Sequence, residues 1–73
     1  MQFSVVYEKV SDPSFEGYYY AHIPSLSLTT HGLGIEGAKE AAQDLVKLWI
    51  KEKEDSGEVI KEESETFYSQ IEI

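Results

Sequence analysis

At 73 residues the chain is a single small domain, and folding removes only ~60–65% of the surface that an unfolded chain of this size exposes, so its core calls for a disulfide, a metal or a second copy. It has no cysteine, which excludes disulfides and thiolate metal sites and fits a reducing cytoplasm, and His22 and His31 cannot hold zinc without carboxylate help. Fourteen acidic residues against six lysines, with no arginine, leave a net charge of −8, which repels phosphate backbones and removes the usual reader of guanine, so direct nucleic-acid binding is not expected.

Strand one is expected at about Gln2 to Val10, with Phe3, Val5 and Tyr7 on one side and Ser4, Val6 and Glu8 on the other. MQFSVVYEKV has a short apolar run but neither a basic leader nor a small-residue cleavage site, so no signal peptide is expected. Ser11 to Gly17 collects Asp, Pro, Ser and Gly and reads as a turn-rich connection. Strand two opens with the aromatic run Tyr18-Tyr19-Tyr20, whose flat side chains favour a half-buried pleated surface. It places Tyr19, Ala21 and Ile23 on one face and Tyr18, Tyr20 and His22 on the other. Pro24 ends it, because proline cannot donate to a ladder. Strand three, roughly Leu26 to His31, follows as part of a meander, and Gly32-Leu33-Gly34 breaks the chain.

The helix is expected from about Ile35 to Asp55. Ile35, Ala38, Ala41, Ala42, Leu45, Leu48 and Trp49 recur at helical spacing as one apolar stripe, widened by Val46 and Ile50. Glu36 suits the positive dipole end and Lys51 and Lys53 the negative one. Gly37 weakens the first turn, by up to ~1 kcal/mol relative to alanine, and Gly57 fits a left-handed C-cap. A polar link, Glu58 to Ser64, leads to a fourth strand in which Phe67, Ser69, Ile71 and Ile73 alternate with Thr66, Tyr68, Gln70 and Glu72. No apolar stretch approaches the ~18–20 residues that span a bilayer, so the expectation is a cytoplasmic protein without membrane contact.

The stretch GYYYAHIPSLSLTTHGLGIEGAKEAAQDL, Gly17 to Leu45, packs strand, proline, strand, glycine turn and helix into under thirty residues. It resembles the HicB family of antitoxins and their stand-alone relatives, which carry an apolar-Pro-x-Leu strand end, a T-x-G turn and an E-x-A helix start. Ile23-Pro24-Ser25-Leu26, Thr29 or Thr30 with Gly32, and Glu36 with Ala38 match those three elements. The family's P-G-C turn is absent, with Ser27 and Leu28 in its place, and Gly34 replaces its threonine N-cap. The resemblance implies a truncated ribonuclease H-like fold over residues 1–73, without the DNA-binding segment that longer members add.

The expected fold is therefore α+β, in the order β-β-β-α-β. A four-stranded mixed sheet of order 3-2-1-4 carries one long helix on one face, the helix acting as a right-handed crossover that sets strand four parallel to strand one. Ala21 is the seat for the helix, with Phe3, Val5, Tyr7, Tyr19, Ile23, Phe67 and Ile71 beneath it. The opposite face then presents Val6, Tyr18, Tyr20, His22, Tyr68 and Gln70. Tyrosine is apolar in its ring and wet at its hydroxyl and is frequent at interfaces. Val6, Tyr18, Tyr20, His22 and Tyr68 are thus the candidate partner or dimer interface, with a sheet edge as the rival site.

Catalysis is not expected. Two-metal nuclease chemistry needs carboxylates converging on ions ~3.5–4 Å apart, and Glu8, Glu36, Glu40 and Glu72 are scattered in sequence without such a set; no G-x-S-x-G elbow or serine triad is present either. G-L-G before the helix lacks the G-x-G-x-x-G pattern and basic support, so no cofactor is expected. The resemblance implies instead an antitoxin-like module that binds a small basic HicA-type mRNA-cleaving toxin and blocks it sterically, with the acidity of the chain speeding encounter. A solitary accessory or ligand-binding module of the same fold is the alternative, and in either case a homodimer is expected.

Overall fold

A computed structural model describes residues 1–61 and 67–73. Three antiparallel strands, β1 (Val6–Lys9), β2 (Tyr18–Ile23) and β3 (Leu28–Leu33), form a sheet of order β1-β2-β3. One helix, α1 (Gly34–Asp55), follows directly. The α+β class, the meander and the single long helix agree with the sequence pattern. No helix among the described residues is long and apolar enough to cross a membrane.

The turns explain where the strands stop. Between β1 and β2 a 3₁₀ turn, Pro13–Phe15, is capped by Asp12, whose carboxylate accepts from the Ser14 N–H at 2.9 Å. The Val10 N–H donates to the Tyr18 carbonyl at 3.0 Å and closes the hairpin. Between β2 and β3, Pro24–Leu26 forms a second 3₁₀ turn and Ser27 takes a left-handed φ of 53°. The expected Leu26 start of strand three therefore moves to Leu28, and the strand runs on through Gly32 and Leu33. Strand one is shorter than the expected Gln2–Val10 for the same reason. Val6 pairs with His22, and two residues further along the partner lies Pro24, where the ladder ends.

The helix sits on β2 and β3 through very small side chains. Ala21, Ile23 and Ala38 are fully buried and Ala42 nearly so, with Phe3, Val5, Tyr7, Tyr19, Leu26, Leu28, Leu45 and Val46 packed around them. Ala21 is the seat its size suggested. At the first helical turn the contact is backbone on backbone: a Cβ on Gly32 would collide with the Gly37 carbonyl and come within 2.6 Å of the Ala38 nitrogen. Gly32 is thus what lets the helix lie this close, whereas a Cβ on Gly37 would make only an ordinary contact, 3.5 Å from the Gly32 carbonyl carbon. Gly34, at φ 68°, makes the reversal from strand to helix in a single residue, and its N–H donates to the Gly17 carbonyl at 2.7 Å.

The C-terminal end of α1 closes with a left-handed Gly57 (φ 75°), whose N–H reaches the Glu54 carbonyl, while the Glu58 N–H reaches that of Lys53, each at 3.0 Å. The Lys53 ammonium also pairs with the Glu58 carboxylate at 3.3 Å. Beyond this cap the expected link Glu58–Ser64 and the Thr66 start of strand four fall partly outside the described residues. Residues 67–73 are described and form no strand. Phe67 and Ile71, expected beneath the helix, are 85% and 84% exposed. Their alternation marks two faces but names no partner, and a segment without a ladder partner has no hydrogen bonds to hold it as a strand.

Gly32→Ala is expected to lower stability by roughly 2–3 kcal/mol, because backbone rather than a flexible side chain blocks the added methyl. Gly57→Ala, which meets open space, loses only about 1 kcal/mol through its positive φ. Urea unfolding followed by circular dichroism measures both; equal losses would mean that the close approach does not govern the packing.

Candidate functional site

Antiparallel register decides which side chains share the sheet face away from α1. Val6 lies opposite His22 and Glu8 opposite Tyr20, while Tyr18, Tyr20 and His22 lie opposite Leu33, His31 and Thr29. Alternation puts all eight on one face, with the helix on the other. Four of the expected interface residues, Val6, Tyr18, Tyr20 and His22, are therefore neighbours. Tyr68 is not among them: it lies 70% exposed in the unpaired segment, its hydroxyl accepting from Gln70 Nε2 at 3.4 Å.

His22 is the centre of the face. Its Nε2 lies 2.9 Å from Glu8 Oε1 and its Nδ1 2.9 Å from Thr29 Oγ1. One imidazole thereby ties all three strands together across two strand boundaries. An ionised carboxylate can only accept, so the Nε2 must carry a proton; the Thr29 hydroxyl can then rotate to donate to Nδ1 or accept from it. Around this link the rings form a broad apolar strip. Tyr20 stacks obliquely on His22 with centroids 5.8 Å apart, Tyr18 approaches His31 at 6.2 Å, and Phe15 meets Tyr18 edge-on at 5.8 Å. Tyr20 is 38% exposed and Leu33 63%, so the strip is reachable from solvent.

Carboxylate, imidazole and hydroxyl stand here in the order of a hydrolase relay, an arrangement the spacing of Glu8, His22 and Thr29 along the chain did not reveal. The His22 and Glu8 side chains are 34% and 64% exposed, and solvent at that level weakens the link between them. A hydroxyl nucleophile requires a water-excluded site with donors aimed at the developing oxyanion; the geometry suits a cross-strand brace on a wet face. Among the described residues, no three His, Asp or Glu side chains converge in a way that would hold a metal ion. His31, read from its place beside Gly32 as a strand-end residue, lies inside β3 opposite Tyr20. Trp49 faces the core side, edge-on to Phe3 at 6.3 Å, with the Lys53 ammonium 5.7 Å from its ring centre.

No family model, curated protein or solved structure matches the chain, so the HicB resemblance stands on its quoted residues alone.

A double-mutant cycle of Glu8→Gln and His22→Ala is expected to give a coupling of no more than ~1 kcal/mol at neutral pH, shrinking with added salt, as exposed pairs do. Denaturant midpoints of the four proteins measure it. A coupling of several kcal/mol that is indifferent to salt would mean that the brace is desolvated and that the face is covered in solution.

Proposed function

We propose that this chain is an antitoxin-like protein-binding module whose open sheet face captures a small basic partner of the HicA toxin type and blocks it sterically. The observation that carries the reading is the joining of Tyr18, Tyr20, His22, His31 and Leu33 into one exposed strip braced by Glu8 and Thr29. A strip of aromatic rings held by backbone register loses little conformational entropy on binding, which is what makes such rings effective interface anchors. The acidic balance of −8 complements a cationic partner and disfavours RNA as the ligand. In this reading the chain is not an enzyme, needs no cofactor, acts in the cytoplasm and self-associates as a homodimer. Its architecture is completed by residues 67–73 as a fourth strand beside β1, giving the order 3-2-1-4, with Tyr68 brought toward the open face.

Co-expression with a HicA-type toxin tests the function. Growth is expected to be rescued by the wild-type chain, and rescue should be lost in a Tyr18→Ser, Tyr20→Ser double variant that keeps its helical circular dichroism. A wild-type chain that binds no such toxin in a pull-down and restores no growth would overturn the antitoxin reading and leave the solitary accessory module in its place.

A further inference from the structure

A folded chain of 8.3 kDa ordinarily exposes about 4,600 Å², and one of 73 residues has a radius of gyration near ~11 Å. This one exposes 6026 Å² and has a radius of 14.0 Å. The excess, roughly 1,400 Å², exceeds the ~800 Å² that each partner contributes to a standard protein–protein interface. Two exposed features of the chain have complementary shapes.

The first is the segment from Phe67 to Ile73. It alternates Phe67, Ser69, Ile71 and Ile73 with Tyr68, Gln70 and Glu72, carries one charge in seven residues, and leaves Phe67, Tyr68, Ile71 and Ile73 between 70% and 113% exposed. The second is the outer edge of β1. That strand is the first in a sheet of order β1-β2-β3, so among the described residues no strand faces the backbone groups on its outer side. Beside it Phe3, Val5 and Tyr7 are only half-buried, because α1 covers β2 and β3 instead. An open edge next to a half-covered apolar strip is the template that an amphipathic strand fills.

The helix is longer than the strands it packs on. At 22 residues α1 is ~33 Å long, whereas six-residue strands such as β2 extend only ~20 Å. Val59, beyond the capped end of α1, is 88% exposed. The cap holds the chain through Glu58, and the eight positions between it and Phe67 span at most ~29 Å, a length that can lead to a neighbouring copy's edge as well as to the chain's own.

We propose that two copies exchange this segment, residues 67–73 of each lying along the β1 edge of the other. The proposal rests on the four-stranded reading of the sheet and adds that the fourth strand comes from a second copy. A two-fold exchange closes both edges and covers both apolar segments at once, which mutual pairing of identical surfaces does with few new contacts. Attraction here is apolar and backbone-mediated between two acidic chains, so salt strengthens it by screening their repulsion. Capture of a basic partner on the tyrosine face responds to salt in the opposite sense.

Sedimentation equilibrium on the full chain at about 0.1 M and about 0.5 M NaCl, spanning the Debye lengths over which charge repulsion is screened, reads the first part of the test. Isotope-filtered NOEs in a mixture of labelled and unlabelled protein, refolded together, read the second. The expected result is a dimer that tightens with salt and shows intermolecular NOEs from Phe67 and Ile71 to residues of β1. Ile71→Pro, which removes a ladder donor, is expected to weaken it at least about tenfold while helical circular dichroism is kept. The Tyr18→Ser, Tyr20→Ser double variant is expected to leave it unchanged. A monomer whose NOEs from Ile71 to β1 are all intramolecular overturns the exchange and keeps the four-stranded sheet. A chain, monomeric or dimeric, in which residues 67–73 give no NOE to β1 overturns both.

Discussion

The contact on which the rest depends is the direct approach of α1 to β3 at Gly32 and Gly37. The missing side chain of Gly32 lets the strand backbone meet that of Gly37 and Ala38, and Ala38 and Ala42 continue the approach onto Ala21 and Ile23. Such closeness gains dispersion contacts along the first half of the helix, at the expense of a glycine that is a poor strand former by itself. It also pins the helix over β2 and β3, because only there are the facing side chains small enough. The larger residues Phe3, Val5 and Tyr7, at the β1 side, are left at the margin of the layer.

That placement sets the character of both remaining surfaces. With α1 spent on one face, the other face of the sheet has to be stable against water, and tyrosine, histidine, threonine and glutamate do this with rings that pack laterally and polar atoms that stay hydrated. The brace from Glu8 through His22 to Thr29 crosses all three strands, so the hydrogen bonds that order the face also resist splaying of the sheet. A braced, aromatic face is suited to protein recognition, and its order and its accessibility have the same origin in the one-sided packing. The half-covered β1 margin has that origin too, and a domain with so small a buried core gains disproportionately from any added strand.

Much of the fold was legible because its determinants are local. Pro24 stops β2, Gly34 turns the chain, and the spacing of Ala38, Ala42, Leu45 and Trp49 lays one stripe along a helix whose observed bounds, Gly34–Asp55, start one residue before the expected Ile35 and share its end. The length of β1 was not legible, because it depends on where the partner strand ends and not on the residues of β1 itself. The start of β3 shifted by two residues because Pro24–Leu26 closed into a turn that the leucine content of the segment had concealed.

For the candidate site the division is sharper. Alternation in the sequence by itself determined that Tyr18, Tyr20 and His22 point the same way and that Tyr19, Ala21 and Ile23 oppose them, since the period of a strand admits no other arrangement. Which residues of other strands stand beside them was decided only by the tertiary structure. The register brought Glu8 and Thr29 to the two nitrogens of His22, and His31 to Tyr18, across separations of seven to fourteen residues for which no local rule exists. Tyr68 shows the converse: its segment has the pattern of a strand, but a pattern specifies faces, and a strand is made only when another backbone supplies the hydrogen bonds.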